Sequence, residues 1–436
     1  MKRIKILIPL NKSPYSNDLM TDQAKNICKS LSSKCDTHVV WVIFPSNVAH
    51  HLWNNEEKMK TGGKLEIINA KNFRNAVDLI KNVSPDIIIL NGSIDFHNIE
   101  CNLAGKFLKI PTVVLFFRNR KTANSINKKS VLKTRIRGMF YRYQSKDGKE
   151  VFDWLVPFYC NQYNYFFKTL CAINLGKIKS LKNILNHFQS IIFSYNPIST
   201  LLEGTLNFCV SDDWEKELLG AKFDKNSIVV AGDPYFEYDY NENIKNRVQN
   251  NNKNKIMLCT SALSNHSFCS KDEEMRFIID VCNEILEYDE NELIIKIHPS
   301  TENLYDFEEK VIPKLSKKIK IFQSENMLKV IKQNDIVISY SGSGAIRDGV
   351  ISGKPVINLK FGIAEKWFQD VYVDDKLIFQ CNKIEKIQEI IMQSKNIIFQ
   401  KEDLEKFIQK YIGYSAGKSS EIYSNKILNE IKKWKK

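Results

Sequence analysis

Short apolar runs alternate with stretches of helical length along most of this 436-residue chain. Strands separated by about ten to fifteen residues of helix form a parallel, doubly wound sheet, because each helix carries the chain back across one face. The sequence therefore predicts an α/β fold of two Rossmann-type parallel-sheet domains. The predicted strands are Ile4–Pro9, His38–Phe44, Leu65–Ile68, Asp86–Leu90 and Thr112–Phe117 in the first domain, and Lys255–Cys259, Glu292–Ile297, Ile319–Phe322, Asp335–Ser339 and Pro355–Leu359 in the second.

The boundary between the two domains is predicted at 238–254, where Asn and Lys replace apolar residues. This gives a first domain of residues 1–240, a second of residues 255–425 and a final helix end at 426–436. An insertion at about 118–200 interrupts the alternation of the first domain. A chain of this length can give each domain a core of its own.

The composition, with 43% apolar and 26% charged residues, is typical of a folded soluble protein. No apolar run reaches the roughly eighteen residues of a membrane-spanning helix, and no signal-peptide pattern precedes the first strand. The ten cysteines are scattered, which indicates reduced thiols and argues against a structural zinc site. We therefore expect a cytoplasmic protein without a bound metal.

A turn of small residues follows the predicted strand Asp335–Ser339 and precedes a helix that opens near Ala345. The free N–H groups and positive dipole end of such a helix suit a phosphate, and glycine lets the phosphate approach the main chain. The spacing differs from that of dinucleotide-binding and P-loop motifs. An ordinary strand-to-helix turn is the alternative. The turn consists of Ser341, Gly342, Ser343 and Gly344.

A second candidate residue, His298, ends the strand Glu292–Ile297 and precedes Pro299. The proline restricts His298 to an extended backbone, so the imidazole is held at the carboxyl end of the strand. Ligands of open α/β sheets bind at that edge. A lone histidine is more often a packed or surface residue, but this placement favours a site.

These two motifs, in this order, resemble the second half of nucleotide-sugar-dependent GT-B glycosyltransferases. The similar families belong to bacterial surface-polysaccharide synthesis and are the sialyl- and Kdo-transferases with a Lys-x-His-Pro strand end, the CDP-glycerol glycerophosphotransferases and the UDP-GlcNAc 2-epimerases. Residues 207–219, 228–234 and 411–421 resemble further segments of these enzymes. The resemblance covers about residues 205–430. It implies a GT-B-like fold whose two Rossmann-type domains face a cleft, with the C-terminal helix bracing the first domain.

The resemblance also implies a nucleotide sugar as the donor substrate, with no further cofactor and no metal, since no Asp-x-Asp metal motif is present. The leaving phosphate must then be neutralised by cations and main-chain N–H groups. Asp348 matches an acidic residue that binds ribose hydroxyls in related enzymes. The alternatives are helix-dipole compensation for Asp348 and solvation for Arg347. The predicted donor-binding residues are Lys296, Pro299, Ser341, Gly342, Ser343, Gly344, Arg347 and Asp348, and His298 is predicted to take part in catalysis.

A general base for the acceptor hydroxyl should come from the first domain, at the carboxyl ends of its strands. Asp95 and His97 follow the fourth strand, and in an extended loop they would point to the same side. Both are therefore predicted catalytic residues. Asp18 and Asp22 are weaker candidates because each could cap or begin a helix.

The insertion is strongly basic at first, with eleven basic and two acidic residues in 118–150, and aromatic-rich at 154–167. Such a surface suits an anionic membrane. The alternative is a helical excursion that packs its aromatic side chains into the first domain and leaves its charges in water. Nucleic acid is not an expected partner, because no RNA- or DNA-binding signature is present. Arg118 and Arg120, where the insertion begins, are predicted to hold an anionic acceptor.

The predicted function is transfer of a sugar, or a sugar-like group, from a nucleotide donor to a surface-polysaccharide or lipid-linked glycan acceptor. We expect a cytoplasmic enzyme that can associate peripherally with the inner face of the membrane. An epimerase is the first alternative, but this chain has Gly92-Ser93 where the similar epimerases have Gly-Asp, and it lacks their Glu-Ala-Gly-Leu-Arg segment around 116–120. A non-enzymatic sugar-nucleotide-binding protein is the second alternative.

Overall fold

The computed structural model describes residues 3–9, 19–44, 64–92, 95–116, 161–173, 198–236, 254–264, 268–298, 302–317, 319–340, 343–366, 372, 376–395, 399–413 and 418–435. The chain divides into two compact units. The first unit comprises Met1–Leu132, Asp147–Glu237 and Ile412–Lys436, and the second comprises Lys133–Lys146 and Tyr238–Tyr411.

Strands and helices alternate through both units. The described strands are β1 (Ile4–Pro9), β2 (Thr37–Ile43), β3 (Lys64–Asn69), β4 (Ile87–Asn91), β5 (Thr112–Phe116), β6 (Leu206–Cys209), β7 (Ile228–Val230), β8 (Asn254–Cys259), β9 (Asn291–Lys296), β10 (Lys320–Phe322), β11 (Ile336–Tyr340), β12 (Val356–Leu359) and β13 (Ile378–Cys381). The described helices are α1 (Leu19–Ser32), α2 (Ala76–Val83), α3 (Phe96–Phe107), α4 (161–172), α5 (Asp212–Gly220), α6 (Lys271–Leu286), α7 (Leu304–Lys310), α8 (Met327–Lys332), α9 (Gly344–Ile351), α10 (Ile387–Lys395), α11 (Lys401–Tyr411) and α12 (Ser419–Trp434).

Seven parallel strands form the sheet of the first unit, in the order β3-β2-β1-β4-β5-β6-β7. Successive residues of β1 point to opposite faces, and both faces are buried: Ile6 and Ile8 lie in one core and Leu7 in the other. A sheet covered on both faces requires nearly continuous apolar runs, and these are the runs from which the sequence predicted the strands. The predicted α/β class with parallel sheets is confirmed.

The C-terminal helix α12 packs on the first unit. Tyr423 and Ile427 are fully buried in the same core as Ile6, and the Tyr423 ring stacks on Phe208 with a centroid distance of 4.2 Å. The Tyr423 hydroxyl donates a hydrogen bond of 3.0 Å to the carbonyl oxygen of Gly232. The chain therefore re-enters the first unit at residue 412, earlier than the limit of 425 that the sequence suggested for the second domain.

Helix α4 is the described part of the predicted insertion, and it packs into the first unit. Phe166 and Leu170 are buried in the core beneath it, and Phe166 meets Phe96 edge-on at 5.2 Å between ring centroids. The aromatic residues of this helix thus behave as the core-packing alternative predicted, except for Phe167, which is 63% exposed. The basic stretch 118–150 lies outside the described residues, so its membrane role stays a prediction.

Six parallel strands form the sheet of the second unit, in the order β10-β9-β8-β11-β12-β13. The chain builds outward from β8 to one side and then continues from β11 on the other, so the strand order reverses between β8 and β11. Open α/β sheets bind ligands at the carboxyl ends of the strands beside such a reversal. No helix within the described ranges is long and apolar enough to cross a membrane.

Candidate functional site

The carboxyl ends of β8 and β11 are tied together by two hydrogen bonds. The Ser261 hydroxyl donates to the carbonyl oxygen of Tyr340 at 3.0 Å, and the Ser261 N–H donates to the Tyr340 hydroxyl at 3.2 Å. Tyr340 is fully buried. These two bonds join the strand ends at the point where the strand order reverses.

His298 lies directly after β9, at the carboxyl edge where the sequence predicted it, and it is half-buried. Its backbone N–H donates to the Oε2 atom of Glu302, which also accepts a hydrogen bond from the Thr260 hydroxyl. The carboxylate thus joins the ends of β8 and β9, and the position of His298 depends on it. Pro299 lies outside the described residues.

Lys296, the last residue of β9, has a main-chain role. Its ammonium group donates hydrogen bonds to the carbonyl oxygens of Ile297, at 3.2 Å, and Gln323, at 2.8 Å. The side chain is only 3% exposed, and this burial lowers the pKa of Lys296. At least two of its three N–H donors therefore hold the β9 and β10 strand ends together.

The amino end of α9 presents open main chain. Ser343 is the N-cap, and its hydroxyl accepts a hydrogen bond from the Ala345 N–H at 3.3 Å. A Cβ atom placed on Gly344 would find its nearest described neighbour, Nη2 of Arg347, 4.0 Å away. The helix therefore starts one residue earlier than predicted, and the Ile346 N–H donates to the Ser343 carbonyl oxygen at 3.1 Å, so the main chain at Gly344 is the approachable part. Ser341 and Gly342 lie outside the described residues.

Arg347 and Asp348 form a buried ion pair, which corrects two alternatives considered for them. Nε and Nη2 of Arg347 lie 3.1 and 3.0 Å from Oδ1 of Asp348, and the two side chains are 4% and 9% exposed. Arg347 is therefore not solvated. Asp348 is the fifth residue of α9 rather than part of its first turn, so helix-dipole compensation does not explain it.

Glu302 is a site residue that the sequence reasoning missed. Burial raises the pKa of its carboxyl group to about 7, and the hydrogen bonds from His298 and Thr260 limit that rise. Its second oxygen, Oε1, is buried and has no hydrogen-bond partner among the described residues. In the sequence, Glu302 is only an acidic residue four positions after His298, and such a residue is typical of a solvated loop.

In the first unit, the prediction that Asp95 and His97 lie in an extended loop is wrong. Asp95 is the N-cap residue of α3 and is exposed, whereas His97 is the second residue of that helix and is buried. The His97 ring stacks on Phe44, which follows β2, with 4.4 Å between centroids and 23° between planes. Burial lowers the pKa of His97, and the nearby Asp95 carboxylate partly offsets this effect. Ser93, Arg118 and Arg120 lie outside the described residues.

Further along α3, sequence reasoning also missed Glu100. Burial raises the pKa of this carboxyl group well above its usual value, and its Oε2 atom has no hydrogen-bond partner among the described residues. Nowhere within the described ranges do three or more His, Cys, Asp or Glu side chains form a group able to hold a metal ion.

Comparison with known proteins shows the family to which this chain belongs. Residues 200–428 match the family described as UDP-N-acetylglucosamine 2-epimerase, and this match covers more than half of the chain. The chain belongs to the UDP-N-acetylglucosamine 2-epimerase family. The matched region of this family member includes His298, the start of α9 and the Arg347–Asp348 pair, whereas α3 lies outside it.

This family member also resembles a transferase in sequence. It is 25% identical over 237 residues to the UDP-N-acetylglucosamine--N-acetylmuramyl-(pentapeptide) pyrophosphoryl-undecaprenol N-acetylglucosamine transferase of Borreliella burgdorferi. The match covers 49% of this chain and 57% of that protein, so the chain spans little more than half the length of this curated relative.

Solved structures similar to this member of the epimerase family include both reaction types. The UDP-GlcNAc 2-epimerase from Methanocaldococcus jannaschii has a TM-score of 0.54 at 15% identity, covering 98% of this chain and 99% of that one. The glycotransferase of kitacinnamycin has a TM-score of 0.53 at 10% identity, covering 98% of each chain. At these identities the likeness shows the fold, which is the predicted GT-B fold.

Proposed function

We propose that this protein is a metal-independent glycosyltransferase that uses a nucleotide sugar, with UDP as the carrier, and passes the sugar to a surface-polysaccharide or lipid-linked glycan. The observation that carries the donor half of this proposal is the His298 strand end beside the point where the strand order reverses. The family match over 200–428 supports it, since that family acts on a UDP-sugar. The transferase relative supports the lipid-linked acceptor.

The donor diphosphate would be neutralised by groups of the second unit. The His298 imidazole can donate a hydrogen bond to a phosphate oxygen. The Gly344 N–H at the amino end of α9 offers a further donor, and the missing Cβ of Gly344 lets a phosphate approach it. The Arg347 guanidinium is engaged with Asp348, so its contribution is to fix the Asp348 carboxylate for the ribose hydroxyls.

Asp95 is the better of the two proposed bases. Its carboxylate is exposed at the start of α3, where an acceptor hydroxyl can reach it, whereas His97 is buried against Phe44. The lowered pKa of His97 keeps its imidazole neutral at pH 7, so it can accept a proton only if the acceptor penetrates that packing. We propose that His97 supports the α3 start and that Asp95 takes the proton.

Epimerisation is the second candidate, and the family match favours it directly. That match begins at residue 200, however, and so excludes the first-domain segments in which this chain departs from the similar epimerases. The match therefore supports a UDP-sugar site more strongly than it supports the reaction performed there.

Incubation with UDP-N-acetylglucosamine alone separates the two reactions. A transferase should give at most slow hydrolysis, and should release UDP in step with product once a lipid-linked glycan acceptor is added. Asp95→Asn should slow that release by about 10²–10⁴-fold, the usual contribution of a positioned proton acceptor. Glu203→Gln, outside both candidate sites, serves as the matched control. Inversion of the sugar at its second carbon without any acceptor would overturn the transferase proposal in favour of the epimerase.

A further inference from the structure

Glu302 holds together three strand ends of the second unit. Its Oε2 atom accepts hydrogen bonds from Thr260 after β8 and from the His298 N–H after β9. Its backbone carbonyl accepts a hydrogen bond of 2.7 Å from the Gln323 side chain, which follows β10. A carboxyl group in this position controls where His298 sits without itself having to touch a ligand.

The carboxyl group is poorly compensated as an anion. Its Oε1 atom is buried without a hydrogen-bond partner among the described residues, and an unpaired buried charge is unfavourable. The surrounding ionisable groups include both acids and bases, so together they do not fully compensate a negative charge on Glu302. They are Glu274 and Lys271 on α6, Cys259 on β8, Lys296 on β9 and Tyr340 on β11.

We propose that Glu302 is a positioning residue that couples binding of an anionic nucleotide at the His298 strand end to uptake of a fraction of a proton, and at most one, from solvent. This inference rests on the proposed function, because it needs a phosphate beside His298. The proton is added to Oε1, which has no hydrogen-bond partner among the described residues, while Oε2 continues to accept the hydrogen bonds from His298 and Thr260.

The direction of the coupling follows from charge. A bound diphosphate brings negative charge close to the carboxyl group, and like charges favour its protonated form. The free protein already titrates this group near neutrality, since burial raises its pKa to about 7. Nucleotide affinity should therefore fall as the pH rises above 7, because the proton must then be drawn from a more dilute solution.

The inference predicts a specific difference between wild type and Glu302→Gln, in which the amide imitates the neutral carboxyl group. UDP binding is measured by calorimetry from pH 6.5 to 8.5 in buffers of different ionisation heats. Across this range we expect the affinity of the wild type to fall about tenfold more than that of the variant. This difference corresponds to a rise of about one unit in the pKa of Glu302 when UDP binds. The number of protons taken up should be smaller in the variant. Protonation of UDP occurs with both proteins and cancels in the difference.

Two further variants keep the test decisive. Glu308→Gln, an exposed position on α7, should behave as wild type. Thr260→Val removes one hydrogen bond that favours the charged carboxylate, so the midpoint of the affinity profile should move to higher pH. This second variant decides the matter if Glu302→Gln does not fold.

The outcomes are distinguishable. If wild type binds UDP and the Glu302→Gln profile is identical to it, or the Thr260→Val midpoint does not move, the coupling is refuted while the proposed donor site survives. If wild type does not bind UDP at all, both the coupling and the UDP site fall.

Discussion

Replacing Asp348 with Asn should strongly destabilise the second unit. Asparagine keeps the size of the side chain but removes the charge that faces the Arg347 guanidinium at 3.0 Å. Both side chains are more than 90% buried, so water cannot replace the lost carboxylate. Removing one partner of a buried ion pair costs about 3–5 kcal/mol, because the other charge is left uncompensated.

Hydrogen exchange of backbone amides, read by mass spectrometry, measures this loss separately in each unit. A loss of about 3–5 kcal/mol corresponds to exchange roughly 10²–10³·⁵-fold faster in β11 and β12, the strands that flank α9. The strands of the first unit should keep their protection and serve as an internal reference. The pair Lys376–Asp403, also in the second unit, offers a matched control because its lysine is 70% exposed. Asp403→Asn should cost less than about 1 kcal/mol.

The double variant Arg347→Gln/Asp348→Asn completes this test. It leaves neither charge buried alone, so it should recover part of the stability that Asp348→Asn loses. Equal exchange rates in Asp348→Asn and Asp403→Asn, or no recovery in the double variant, would refute the reasoning that the pair is held by its buried charges.

Three other outcomes are expected. His298→Ala should lower transfer about a hundredfold, the scale of losing one charge-stabilising donor, with unchanged circular dichroism; full activity would remove His298 from the site. The raised pKa of Glu302 means that the unfolded chain releases this proton near pH 4.5 and the folded chain near pH 7. The free energy of unfolding, measured with urea, should therefore fall by about 3 kcal/mol as the pH rises through that window. This fall should be absent in Glu302→Gln. Reversing Lys133, Arg135 and Arg137 to Glu should abolish sedimentation with phosphatidylglycerol vesicles at low salt; recovery in the supernatant already in the wild type would contradict membrane docking.

The sheets were well predicted from the sequence because strands that are buried on both faces consist of nearly continuous apolar residues. Ten predicted strands correspond to observed ones within about a residue at each end, as for β1 at Ile4–Pro9. The strands β6, β7 and β13, which are four, three and four residues long, were not predicted as strands. Length alone does not explain the omission, because β10 and β12 are equally short and were predicted.

The position of His298 at a strand end was predictable from the sequence, but the partners of the residues around it were not. His298 was correctly located because proline and a strand end fix the backbone there. The partners of Lys296 and Arg347 depend on which groups lie nearby in space, and Gln323 is 27 residues from Lys296. The backbone conformation predicted for Asp95 and His97 was wrong because helix α3 begins at Phe96 and includes His97.

The return of α12 to the first unit has a consequence for how the protein is made. One face of the first sheet, including Ile6 and Phe208, is covered by Tyr423 and Ile427, which the ribosome adds almost 200 residues after the last strand of that sheet. During synthesis the part of this face that α12 covers stays exposed while residues 238–411 of the second unit are being added. Exposed apolar surface of this kind attracts chaperones and other nascent chains. The second unit can therefore complete its fold first, whereas the core of the first unit is completed only after α12 has been synthesised.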